Sequence, residues 1–268
     1  VRYQRMLMDQ STPNDKKMHV LTVGAGEPLV LFHGGMGSSN HWAHNQDELA
    51  KHYTVHMPDL PGYGESFTVA KDLDPELYVQ HVMTMLLGIV PSGPFRLGGF
   101  SFGGIMAAHC AARLGSRVTK LSLMGPGGFR RLGKALDMKK IPRASEDPVV
   151  MREVLDYNLR VMMCADPKAV TDEAIDLHHA NVRRTRYDGR HFSLTPGLLA
   201  KRLREIQCPV QIIWGGKDAL CYPDVMPRVD EVRAAMPDIR IDIIENAGHW
   251  VEFEAGAEVN RLMLDFLK

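Results

Sequence analysis

The run Gly98-Gly99-Phe100-Ser101-Phe102-Gly103-Gly104 constrains this chain more than any other feature, because it joins a short apolar stretch at 95–99 to a helical pattern over about 104–114. A serine at such a junction has its backbone turned sharply from strand to helix. The turn closes only if the flanking positions carry almost no side chain. Four glycines leave that room, and the helix start directs the positive end of its dipole toward the serine. The alternative is a glycine-rich turn with an incidental serine. A phosphate loop would need Gly-Lys-Ser/Thr, and no lysine follows. Gly24-Ala25-Gly26 precedes a strand and lacks the third glycine of a dinucleotide fingerprint.

Apolar runs at 28–32, 53–58 and 118–124, together with 95–99, read as buried parallel strands, and 77–90 has helical spacing. This strand–helix rhythm predicts an α/β fold, a mostly parallel sheet with helices on both faces. It breaks at about Gly128. Residues 129–203 are rich in Arg, Lys, Met and acidic residues, with helical patterns at 149–163 and 172–184 and no clear strand. Strand signals return at 209–214 and 239–244, and an amphipathic helix is expected over 257–267. The expected organisation is a core of 1–128 and 204–268 interrupted by a helical insertion at 129–203.

Lysine plus arginine equals aspartate plus glutamate at 32 each, so nothing in the balance points to nucleic acid, and a small molecule is the expected partner. No apolar run approaches a membrane span, so no membrane partner is expected. The four cysteines, Cys110, Cys164, Cys208 and Cys221, form no C-x-x-C pair. Reduced thiols in a cytoplasmic protein fit that scatter better than disulfides or structural zinc. Residues 1–10 lack the apolar core of a signal peptide. The start on Val1 reads as trimmed, which leaves a removed leader open. Self-association is left open too.

Serine is a poor nucleophile near neutral pH and needs a base, which needs an orienting acid. Past the late strands stand Gly215-Gly216-Lys217-Asp218 and Gly248-His249-Trp250, in the order serine, acid, histidine. Ser101, Asp218 and His249 are therefore the candidate catalytic residues, with Asp59 and Glu245 as rival carboxylates. An oxyanion would be held by the backbone N–H groups of Phe102 and of Gly35 in the loop His33-Gly34-Gly35-Met36-Gly37. The pairs His178/His179 and His41/His44 lack a carboxylate at ligand spacing, so neither a metal nor a cofactor is expected.

In order along the chain, 30–35, the Pro58-Asp59-Leu60-Pro61-Gly62-Tyr63-Gly64 turn, the Ser101 elbow, Trp214-Gly215-Gly216-Lys217-Asp218 and Gly248-His249 match one pattern. On these motifs the chain resembles the α/β-hydrolase superfamily over nearly its whole length. The resemblance implies the α/β-hydrolase fold and makes 129–203 a helical cap inserted before the acid-bearing strand. Leu123-Met124-Gly125-Pro126-Gly127-Gly128 and the tail from Gly248 through Glu254 look like the meta-cleavage product hydrolases, which cut a carbon–carbon bond in 2-hydroxy-6-oxo-dienoates. That likeness implies substrate-binding roles for Met36, His44, Phe100 and Trp250. The chain departs from it in four ways. Phe100 stands where those enzymes carry asparagine, and Met36 with Gly37-Ser38 replaces Gly-Pro-Gly. His44 stands in for a second asparagine. Their carboxylate-gripping cap arginine has only Arg183, Arg184 and Arg190 as candidates. Three readings follow: hydrolysis of an ester or related acyl bond, C–C hydrolysis, and a non-catalytic ligand-binding protein on the same scaffold. A dehalogenase would need aspartate at 101.

Overall fold

The computed structural model describes residues 17–130, 133, 135–142 and 147–268. The expectation about 1–10 lies outside them. Seven strands form one sheet in the order β1-β3-β2-β4-β5-β6-β7. They are β1 (Val20–Val23), β2 (Pro28–Phe32), β3 (Thr54–Pro58), β4 (Phe95–Phe100), β5 (Val118–Met124), β6 (Val210–Gly215) and β7 (Arg240–Ile244). All pairs are parallel except β1 with β3, so β1 forms an antiparallel edge absent from the sequence-based strand set.

The inner strands β2, β4, β5 and β6 are largely apolar because both faces are covered, and their alternation divides the core in two. Val30 and Phe32 with Leu121, Leu123, Ile212 and Trp214 point to one face. There they meet helices α1 (Pro75–Ile89) and α2 (Ser101–Leu114). Leu29 and Leu31 with Met124 and Ile213 point to the other. Helix α1 begins two residues before its expected start, since the Asp74 side chain accepts from the amides of Glu76 and Leu77 and Pro75 occupies the first turn.

Between β5 and β6 the described residues form no strand. Helix α3 (Pro148–Asn158) widens into a π-helical turn at Leu159–Met163, followed by α4 (Asp172–Arg184) and α5 (Leu198–Leu203). Met151, Leu155, Leu159, Ala174 and Ile175 share a buried cluster with Trp250 and Ile244, while Leu199 and Leu203 pack with the α1/α2 side of the sheet. Helix α6 (Met226–Ala235), not anticipated from sequence, follows β6. The final helix α7 (Gly256–Leu267) buries Val259, Leu262, Met263 and Leu267, the i, i+3, i+4, i+8 stripe of an amphipathic helix.

Candidate active site

Parallel strands deliver their following loops to one edge of the sheet. Ser101 directly follows β4, the Gly34-Gly35 loop follows the neighbouring β2, Asp218 follows β6 and His249 follows β7. Ser101 has φ of 50°, and Met36 in the opposing loop has φ of 51°; among the described residues these are the two non-glycine positions with positive φ. Each such position costs about 1–3 kcal/mol, and the surroundings impose it here. A Cβ on Gly103 would overlap the carbonyl oxygens of Phe32 and His33, and one on Gly104 would come within 3.0 Å of Pro126. The glycines of the elbow thus let strand and helix approach β2 and the β5 loop directly.

His249 Nε2 lies 3.0 Å from Ser101 Oγ, and His249 Nδ1 lies 2.8 Å from Asp218 Oδ2. The other Asp218 oxygen accepts from the Leu220 amide at 2.8 Å. Burial pushes the Asp218 carboxyl up, but His249, the Leu220 amide and the Arg228 charge outweigh it and hold the group below its ordinary value. Asp218 and His249 are only 3% and 4% exposed, so their pairing acts in a low-dielectric setting.

The oxyanion side is equally ordered. His33 Nδ1–H donates to the Gly34 carbonyl at 2.7 Å while Nε2 accepts from the Leu60 amide at 2.8 Å, which fixes a neutral ring. The Gly34 amide donates to His41 Nδ1 at 3.2 Å and is therefore occupied. The amides of Gly35 and Phe102 have no acceptor among the described residues, and a Cβ on Gly35 would stand 3.8 Å from that of Phe102.

The rival carboxylates have other work or no access. Asp59 accepts from the Ser39 amide at 2.7 Å and the Glu65 amide at 2.9 Å, with His19 beside it, and so braces the loop after β2. Glu245 is exposed. Phe100 is buried, its ring 5.0 Å from that of His249 and 5.6 Å from that of His41. Trp250 is buried too, 5.0 Å from His41 and stacked on Phe253. His44 stands apart from the triad. Its Nδ1–H donates to the Phe253 carbonyl at 2.8 Å and its Nε2 lies 3.3 Å from a Glu173 carboxylate oxygen, in an outer groove that also contains Asp47, Glu48 and Asn260. The histidine that does reach the site is His41, and the motif reading of the loop did not single it out.

The arginines also lie differently from what the sequence suggests. Arg183, Arg184 and Arg190 are exposed; Arg184 pairs with Glu65 and Arg190 with Asp188. The cation beside the triad is Arg228 of α6. It lines a pocket of about 60 Å³ together with Ser101, His249, Phe129, Ser193 and Leu194. Glu254 was also missed as a positioning residue. Its carboxylate accepts from the amides of Gly248 (2.6 Å), Ala165 (3.1 Å) and Asp166 (2.6 Å), tying the His249 loop to the segment after α3.

Comparison with known proteins agrees with this geometry. Residues 29–262 match the model of the alpha/beta hydrolase family. The chain is 29% identical to a 2-hydroxy-6-oxo-6-phenylhexa-2,4-dienoate hydrolase from Burkholderia cepacia, over 94% of this chain and 91% of that one. The fold is shared with a meta-cleavage product hydrolase from Pseudomonas fluorescens, at a TM-score of 0.70 and 21% identity over 93% of both chains. It is also shared with an esterase from Thermogutta terrifontis, at a TM-score of 0.67 and 20% identity over 96% and 95%. With a family model spanning most of its length and the fold that goes with it, the chain belongs to the alpha/beta hydrolase family, and it is a hydrolase.

Proposed function

We infer that the protein is a serine hydrolase acting on an ester or related acyl bond of a small organic molecule. The carrying observation is the continuous chain from Ser101 Oγ through His249 to Asp218, at 3.0 and 2.8 Å, with the serine held at φ of 50°. His249 Nε2 takes the proton as Ser101 Oγ attacks the carbonyl carbon. Asp218 keeps the Nδ1 proton in place and stabilises the imidazolium. The amides of Gly35 and Phe102 receive the charge that develops on the carbonyl oxygen. The leaving group departs with the proton from His249, and water, activated by the same histidine, releases the acid.

Residues 129–203 act as a cap over this centre. Supporting contacts are Trp250 N–H to the Met163 carbonyl, Arg186 N–H to the Gly62 carbonyl and Gly128 N–H to the Ser193 carbonyl, each 2.8 Å. A pocket of about 60 Å³ beside Ser101 and His249 suits part of a small-molecule substrate.

The relatives' substrates favour a second reading, C–C cleavage in a 2-hydroxy-6-oxo-dienoate. That substrate must ketonise before Ser101 can attack. A panel of simple esters and coloured dienoates, run on the wild type and on Ser101→Ala, tests both. Loss of all turnover in the variant, by at least about 10⁴-fold, is expected. Retained turnover in the variant would remove Ser101 as the nucleophile, whereas no turnover and no fluorophosphonate labelling of well-folded wild type would favour a ligand-binding protein.

A further inference from the structure

Arg228 stands on the wall of the pocket that holds Ser101 and His249, and the rest of that wall is nearly apolar: Phe129, Leu194 and Leu220, with the Ser193 hydroxyl as the other polar side chain. The guanidinium is held in place. It donates to the Leu220 carbonyl, and its central carbon lies 4.9 Å above the Phe129 ring. Guanidinium carries five N–H donors, and one of its nitrogens is engaged here. Half-buried arginines elsewhere in the chain take two courses: Arg96 pairs with Glu27, Arg113 with Glu76 and Arg202 with Glu205, while Arg117 donates to the carbonyls of Gly93 and Val90. Arg228 has no ion-pair partner among the described residues. Two carboxylates feel its charge without pairing with it, Glu231 one turn on along α6 and Asp218, and both Asp218 oxygens are already committed to His249 and the Leu220 amide. A half-buried cation with free donors, facing a small apolar pocket, has an unmet requirement for an anion.

We propose that Arg228 is the specificity-determining residue of this site, and that the preferred substrates carry a carboxylate on the short chain that extends from the carbonyl attacked by Ser101 into the Arg228 pocket. The planar fork suits a carboxylate, which can accept two parallel N–H bonds from it. The pocket's size limits the group to a carboxylate on a few carbons. The proposal rests on the serine-hydrolase reading and deepens it. It also accounts for the exposed positions of Arg183, Arg184 and Arg190, since an anion in this pocket is met from α6 of the core.

Two matched fluorophosphonates test this, one with a short alkyl chain and one with the same chain ending in carboxylate. Each reacts when Ser101 Oγ displaces fluoride from phosphorus, whatever bond the enzyme naturally cuts. Monomethyl succinate against methyl butyrate, and monomethyl glutarate against methyl valerate, give the same comparison in turnover. Wild type should prefer the anionic member by roughly 10- to 100-fold, mainly through KM, and Arg228→Met should abolish that preference. Arg228→Lys should restore part of it. If the methionine variant fails to fold, Arg228→Lys and Arg228→Gln decide the point, the first keeping some preference and the second none. Equal rates for both members in wild type, or an unchanged ratio in folded variants, overturn the proposal; the second result would leave Arg228 a brace for Phe129 and Asp218. Failure of both probes to label Ser101 would instead sink the serine-hydrolase reading, and the proposal with it.

Discussion

Gly215 lies so close to the carbonyl oxygen of Gly248 that a Cβ at 215 would overlap it, and the carbonyl of Ala247 as well. This contact brings the loop after β6 against the loop after β7, and a Lys217 N–H to Ala247 carbonyl bond of 3.0 Å continues it. Asp218 and His249 are therefore held together by backbone before their side chains interact. Gly215→Ala should force the loops apart. A loss of at least about 2 kcal/mol in urea unfolding, with a larger fall in kcat than in KM, is the expected outcome. Wild-type stability and turnover in that variant would show that the contact is easily relieved.

Asp218 makes its contribution through a carboxylate held below its ordinary value, so the sign of its pH dependence is fixed. The unfolded chain binds this proton at a pH of about 3.9, higher than the folded one does. Its stabilisation is full above that pH and is lost as pH falls through the depressed native value. Asp218→Asn should therefore be less stable than wild type at pH 7, with a gap that narrows in acid denaturation series below pH 4. Turnover at pH 7 should fall on the order of 10⁴-fold, because the amide no longer enforces the Nδ1–H tautomer.

Four buried histidines give a second pH signature. Burial lowers His33 and takes His41 well down; it lowers His178 to about 4 and His109 to about 3. Each takes up a proton on unfolding once the pH drops below about 6.5, which costs roughly 1.4 kcal/mol per pH unit per histidine. Unfolding free energy should accordingly decline between pH 6.5 and about pH 4, more steeply than carboxylates explain. His178→Gln should reduce that slope by one proton's worth. An identical slope in the variant would mean that His178 is protonated in the native protein.

Glu254 satisfies three backbone amides at once, so Glu254→Ala leaves Gly248, Ala165 and Asp166 without their acceptor. About 1–3 kcal/mol of stability should be lost. Because Gly248 adjoins His249, kcat should fall while KM for a neutral ester moves little, and Glu254→Gln should recover part of both. A pure stability loss with unchanged kcat would confine Glu254 to tying down the segment after α3.

Much of the site could be read from sequence because its requirements are local. The elbow around Ser101 needs small residues within a few positions on either side, and such a need is written directly into the chain. The same holds for the glycines ahead of Asp218 and His249. The edge strand β1 is not legible in the sequence because Val-Leu-Thr-Val is only four residues long, and two of the four are exposed at the sheet's edge. Helix α6 was missed for a similar reason, since it buries only Val229 and Val232.

The sequence by itself determined which serine stands at the strand-to-helix turn, the order along the chain of the acid and histidine that meet it, and the alternation of strand and helix, all of which follow from backbone sterics and apolar periodicity over short spans. Only the tertiary structure decided which polar side chains face the reacting atoms. His41 comes in and His44 stays out, although three positions separate them. Arg228 enters the pocket from α6, while Arg183, Arg184 and Arg190 remain at the surface. The physical reason is that side-chain direction depends on the packing of whole elements against one another, a relation between distant parts of the chain that no local spacing encodes. The Ser101 elbow is a local device, and the fold sets the Arg228 cation beside it from a distant helix.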